Sequence, residues 1–128
     1  MTESISTPNA LVQTQNGKRF YVNSGIVSVN NTETAIIDIA NIGERDITLK
    51  INPIISGGGG DDMKLKLKNN GIIIYSAYYK DGTTEGVGTT PIHFIIPANT
   101  SLQITFQNVT DSDSQNVGVS CYGKYLSM

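Results

Sequence analysis

The chain has 128 residues, a size at which one hydrophobic core suffices and roughly two thirds of the unfolded surface is buried on folding. Its net charge of -2, from 9 Lys and Arg against 11 Asp and Glu, provides no broad basic field, which argues against sequence-independent binding to nucleic acid. One histidine, one cysteine and no tryptophan leave little material for nucleophilic catalysis or for zinc, which needs three or four protein ligands.

Hydrophobic residues make up 38% of the chain and charged residues 16%, and Gly, Asn, Ser and Thr fill the difference. That composition suits many turns joining short strands. No apolar run approaches the ~20 residues that span a bilayer, and residues 1–20 lack the apolar stretch of a signal peptide. The expectation is a soluble chain made in the cytoplasm, with no membrane partner.

Residues 1–19 are polar and show neither helical nor strand periodicity, so they read as a flexible N-terminal arm ahead of a single domain over 20–128. Such an arm is either a frayed terminus or a segment that orders against a neighbouring subunit. Runs of strand length follow at 25–29, 34–40 and 46–55. In the last, Ile47, Leu49 and Ile51 alternate with Thr48, Lys50 and Asn52, the two-residue period of a half-buried strand.

Residues 57–62, Gly-Gly-Gly-Gly-Asp-Asp, predict an exposed loop. A phosphate-cradling loop would need a Lys-Ser or Lys-Thr pair and a following helix, and a strand pattern follows instead. There Met63, Leu65 and Leu67 oppose Lys64, Lys66 and Lys68, which reads as a solvated face of the kind that protects a sheet edge. Asn70-Gly71 marks a two-residue hairpin turn, since both positions tolerate positive φ.

The run Ile72, Ile73, Ile74 lacks alternation and predicts a strand covered on both faces, by a second sheet and a loop or by another subunit. Tyr75, Tyr78 and Tyr79 form the main aromatic cluster and are the candidate interface residues, because tyrosine joins an apolar ring to a polar tip. Extended structure resumes at 91–96, where His93 points opposite Ile92 and Phe94, toward solvent or an interface. A strand with Leu102, Ile104 and Phe106 on one side follows, and 117–126 closes the chain with Cys121 on the apolar face beside Val117 and Val119.

About eight antiparallel strands at near-regular spacing predict an all-β, single-domain β-sandwich or jelly roll. Asp111 and Asp113, with Asp61 and Asp62 of the glycine loop, make calcium conceivable. No Asp-x-Asp-x-Asp-Gly run with a downstream Glu accompanies them, and aspartates in such loops ordinarily serve turns. Asp38, between Ile37 and Ile39, faces outward. No catalytic residue, metal or cofactor is therefore assigned, and the chain reads as a non-enzyme.

Residues 24–43, Ser-Gly-Ile-Val-Ser-Val-Asn-Asn-Thr-Glu-Thr-Ala-Ile-Ile-Asp-Ile-Ala-Asn-Ile-Gly, resemble the opening of small jelly-roll structural proteins of tailed bacteriophages. Residues 96–106 and 116–124 resemble the closing hairpin of the same proteins. The resemblance implies a capsid decoration or cement protein, or a head or vertex component, without catalytic residues. It further implies the virion as location, the major capsid protein or other virion proteins as partners, and a homo-oligomer, with a trimer favoured. The alternative is a carbohydrate- or receptor-binding β-sandwich module, with its site on loops 57–62 and 111–116.

Overall fold

The computed structural model describes residues 4–5, 11–15, 19–56, 61–80 and 93–126. They form eleven strands: β1 Ser4–Ile5, β2 Leu11–Gln15, β3 Arg19–Asn23, β4 Val27–Val29, β5 Thr34–Asn41, β6 Ile47–Ser56, β7 Met63–Asn69, β8 Ile72–Tyr79, β9 His93–Ile96, β10 Leu102–Asn108 and β11 Gln115–Lys124. Two antiparallel sheets result, ordered β1-β5-β10-β7-β8 and β2-β3-β11-β6-β9, with β4 paired to β11. The expected all-β sandwich is thus the observed fold.

Its topology follows from nested pairing. The β7–β8 hairpin lies innermost in sequence, and β6 with β9, β5 with β10, and β3 with β11 pair successively around it. Two further ladders, β10 with β7 and β11 with β6, divide this long double hairpin between two sheets. That winding is the jelly roll.

Alternation decides which side chains fill the space between the sheets. Leu102, Ile104 and Phe106 of β10 and Met63, Leu65 and Leu67 of β7 are buried from one sheet. Phe20, Val22, Ile47, Leu49, Val117, Val119 and Cys121 are buried from the other. Each such side chain contributes roughly 1.5–3 kcal/mol by leaving water, so this one core is the main source of stability.

The hairpin at Asn70-Gly71 has the geometry its sequence predicts, with φ of 51° at Asn70 and 78° at Gly71. Asn70 is also tied to the β9–β10 connection. Its side-chain oxygen accepts from Ser101 N at 2.9 Å, and its own N–H donates to Ser101 Oγ at 3.0 Å.

Two expectations about strand cover are corrected. Ile72, Ile73 and Ile74 are not covered within the chain by the second sheet and a loop but are 68%, 50% and 42% exposed, which leaves another subunit as the expected cover. The cause is a bulge: Tyr75 pairs with Leu67 and Ile73 with Lys68, so Ile74 is an extra residue on an edge strand. The lysine-bearing β7 is likewise not an edge, since β10 and β8 flank it. Its outward Lys66 and Lys68 both meet Glu33, at 3.0 and 2.6 Å.

Within the segment read as an arm, β1 pairs with β5 and β2 with β3. The other residues of 1–18 lie outside the described residues, as does the glycine run 57–60.

Candidate functional site

The outer face of the β3-β11-β6-β9 sheet carries residues that alternate away from the core. Register brings them into rows across the strands. Tyr21 pairs with Tyr122, Tyr122 with Lys50, and Lys50 with His93, so one row crosses four strands. Arg19 pairs with Lys124 in the next row, which Thr48 continues through its side-chain bonds to Lys124. Strands stand about 4.8 Å apart, so the four-residue row is on the order of 14 Å long.

These rows line a half-open groove of about 600 Å³, bounded by Arg19, Tyr21, Thr48, Lys50, His93 and Tyr122 among others. That volume falls within the roughly 300–1,000 Å³ typical of small-molecule sites. Arg19, Lys50 and Lys124 supply three fixed positive charges, and no carboxylate lines the groove among the described residues. Among the described residues, none of the three forms an ion pair with a carboxylate. A cationic concavity thus sits on a chain whose net charge is -2.

The floor is fixed by short-range bonding. Gly123 lies where an added Cβ would collide with the Thr48 carbonyl oxygen, so glycine alone allows β11 to approach β6 this closely. Thr48 Oγ1 then accepts from Lys124 N at 3.0 Å and latches the strand end. On the wall, Asn23 Nδ2 donates to the Tyr21 hydroxyl at 3.1 Å and to Ser120 Oγ at 3.2 Å, while Asn23 Oδ1 accepts from Gly25 N at 2.7 Å. Tyr21 is held by an anchored amide. Tyr122 is 41% exposed, and Lys50 Nζ lies 6.0 Å from its ring centroid.

The sequence-predicted aromatic cluster is divided by the fold. Tyr78 is exposed on β8. Tyr75 is half-buried, its ring packed edgewise on Phe94 with centroids 5.3 Å apart. Tyr79 is a correction: only 2% exposed, it packs 6.2 Å from Phe106 and belongs to the core rather than to a contact surface. Burial pushes its hydroxyl pKa well above the usual tyrosine range, and the nearby Tyr75 adds to the shift. The reason is parity, because Tyr79 shares the inward side of β8 with Ala77. His93 is exposed, as its alternation implies, and Cys121 is a buried free thiol.

The two loops of the binding-module alternative do meet. Asp62 N donates to Thr110 Oγ1 at 2.8 Å, and Val109 N donates to the Asp62 carbonyl at 3.0 Å. The carboxylates of Asp61, Asp111 and Asp113 lie within 4.8 Å of one another. Asn108 organises them. Its Nδ2 donates to Asp61 at 3.0 Å and to the Asp113 carbonyl at 2.9 Å, while its Oδ1 accepts from the N–H groups of Thr110 and Asp111. Gln115 Nε2 gives Asp61 a second donor at 3.0 Å, and Asp111 Oδ1 accepts from Asp113 N at 2.9 Å. These bonds shape the loops, the turn role that side-chain to backbone bonding assigns to such aspartates.

Tyr21, Tyr122, Lys50 and Lys124 went unremarked as a site in the sequence. The available signal was parity: Tyr122 and Lys124 lie opposite Val119 and Cys121, as Tyr21 lies opposite Phe20 and Val22. Nothing local says that these outward residues become neighbours.

Fold and site together define a jelly-roll β-sandwich, an architecture found in viral capsid and lectin domains and in cupins, with a cationic, tyrosine-lined groove on one outer face. No protein-family model matches the chain, and no curated protein matches it. Among solved structures it is similar to a family 35 carbohydrate binding module from Clostridium thermocellum, in its native structure. The TM-score is 0.37 at 12% identity, over 95% of this chain and 98% of that one. A likeness of this degree carries no argument about function.

Proposed function

We propose that the chain is a non-enzymatic structural protein of a virion, which self-associates and binds an assembled phage head as a decoration or cement component. The observation that carries this reading is the β8 edge, where Ile72, Ile73 and Ile74 stand exposed beside a side of the strand that no other strand pairs with among the described residues. An edge strand combining open backbone groups with apolar side chains is costly in water, and a neighbouring subunit that covers it removes both costs. Exposed Tyr78 extends the same strand's contact surface. Many such copies on a shell would add avidity to weak single contacts. The resemblance of residues 24–43, 96–106 and 116–124 to phage jelly-roll proteins supports the virion as the setting.

Quantitative mass spectrometry of purified virus particles from the source tests the reading. Many copies per particle support a capsid role, a few place the chain at a vertex or tail, and complete absence overturns the proposal. For self-association, the mass of the native chain in solution should exceed that of one copy, and Ile72→Lys with Ile74→Lys should reduce it.

A second reading, a carbohydrate- or receptor-binding module, is favoured by the groove on the opposite sheet. Its test is saturable glycan binding by the isolated chain. The two readings use different surfaces and are compatible in one protein.

A further inference from the structure

We infer that the outer groove of the β3-β11-β6-β9 sheet binds an acidic oligosaccharide, one whose sugar rings carry carboxylate or sulfate groups. The inference deepens the binding-module reading and rests on it.

Charge selects an anion. Arg19, Lys50 and Lys124 converge on one concavity that, among the described residues, has no carboxylate in its lining. Like charges gathered this way repel each other, so an anionic ligand gains both direct attraction and relief of that repulsion. Arg19 can grip a planar carboxylate or a sulfate through two parallel N–H groups, and the lysines act as point charges beside it.

Aromatic placement selects sugar rings over a simple ion. Tyr21 and Tyr122 stand directly opposite each other across β3 and β11. The weakly positive C–H face of a pyranose packs on the electron-rich face of such a ring, while the phenol hydroxyls remain for hydrogen bonding. Beside the groove, in the adjoining row, Ser120 and Asn52 pair across β11 and β6 and offer polar groups to the hydroxyls of a ligand that extends past the lining. Asn23 and Thr48 are already anchored, so little ordering is required on binding.

Single-stranded nucleic acid also uses cations and aromatic rings. It is disfavoured because the chain as a whole carries 11 Asp and Glu against 9 Lys and Arg and, beyond the groove, Lys66 and Lys68 are already paired with Glu33, so a long polyphosphate leaving the groove gains little further attraction. A ligand of a few rings with spaced charges meets the cations alone.

The full chain is titrated calorimetrically with oligogalacturonate, with a heparin-derived oligosaccharide, with a neutral maltooligosaccharide of equal length and with single-stranded oligodeoxynucleotide. The expected result is saturable binding of one or both acidic sugars, weakened by salt, with the carboxylated and sulfated probes showing which anion is preferred. Lys50→Gln with Lys124→Gln, and separately Tyr122→Ala, should each lower affinity about tenfold or more while leaving the thermal transition in place. Equal affinity for the neutral sugar overturns the acidic preference and leaves the binding-module reading standing. No binding of any sugar overturns both. Tighter binding of the oligodeoxynucleotide, or affinity unchanged by Tyr122→Ala, shows a general cation patch and overturns the inference.

Discussion

Lys50 and Tyr122 face each other directly across β6 and β11, with the ammonium nitrogen 6.0 Å from the ring centroid. At an exposed site a cation over an aromatic ring contributes about 0.5–1 kcal/mol, too little to hold a fold together. Tyr122→Ala should therefore cost the protein no more than about 1 kcal/mol in chemical denaturation. A larger loss would make the ring a structural element and weaken its assignment to a binding face.

Its neighbour Gly123 behaves oppositely. A Cβ there meets the Thr48 carbonyl, which is backbone and cannot turn aside. Gly123→Ala should destabilise the chain by about 1–3 kcal/mol through overpacking. Gly71→Ala provides a scale, since nothing lies within 4 Å of its added Cβ and only its φ of +78° is strained. About 1 kcal/mol is expected at Gly71, and thermal denaturation of the two variants should rank them in that order.

Glu33 bridges Lys66 and Lys68, and hydrogen bonds from Lys68 first and Lys66 second hold its carboxyl pKa down, from 4.5 to about 2. A lowered folded-state value means stability that is present above pH 4.5 and lost as pH falls through 2. Glu33 is 28% exposed at its side chain, so solvent screening limits the contribution to about 1 kcal/mol or less. The stability difference between the native chain and Glu33→Gln should be constant near neutrality and shrink between pH 4.5 and 2. A difference that does not change with pH would remove the ion pair as its cause.

In the core, Phe106 is fully buried and packs against Tyr79 at 6.2 Å. Phe106→Ala removes that contact and leaves a cavity between the sheets. A loss of about 3–5 kcal/mol is expected, a large share of the 5–15 kcal/mol typical of a domain. Denaturant midpoints at unchanged slope would check it.

Cys121 is completely buried, and burial pushes its thiol pKa up, away from the reactive thiolate. A thiol-reactive dye should fail to label the native chain and label it fully once unfolded. Prompt labelling under native conditions would show that β11 opens locally.

The strands were legible in the sequence because a two-residue period is a local property of the chain. Leu102, Ile104 and Phe106 point inward together whatever pairs beside them, and Asn70-Gly71 forms its turn from its own backbone preferences. Local periodicity misled where a bulge intervened. The triplet Ile72, Ile73, Ile74 read as doubly covered, yet one extra residue opposite Lys68 breaks the alternation on an exposed edge.

Sequence by itself therefore determined the sandwich class and, beyond the segment read as an arm, the strands and the inward faces of those with regular alternation, but not β1 and β2. Only the tertiary structure decided that β8 is an edge, that Tyr79 is core while Tyr78 is surface, and that Tyr21 stands beside Tyr122 and Lys50. The physical reason is that strand order and register come from hydrogen bonds between segments far apart in the chain. No local pattern encodes those partners, and the groove is built entirely from them.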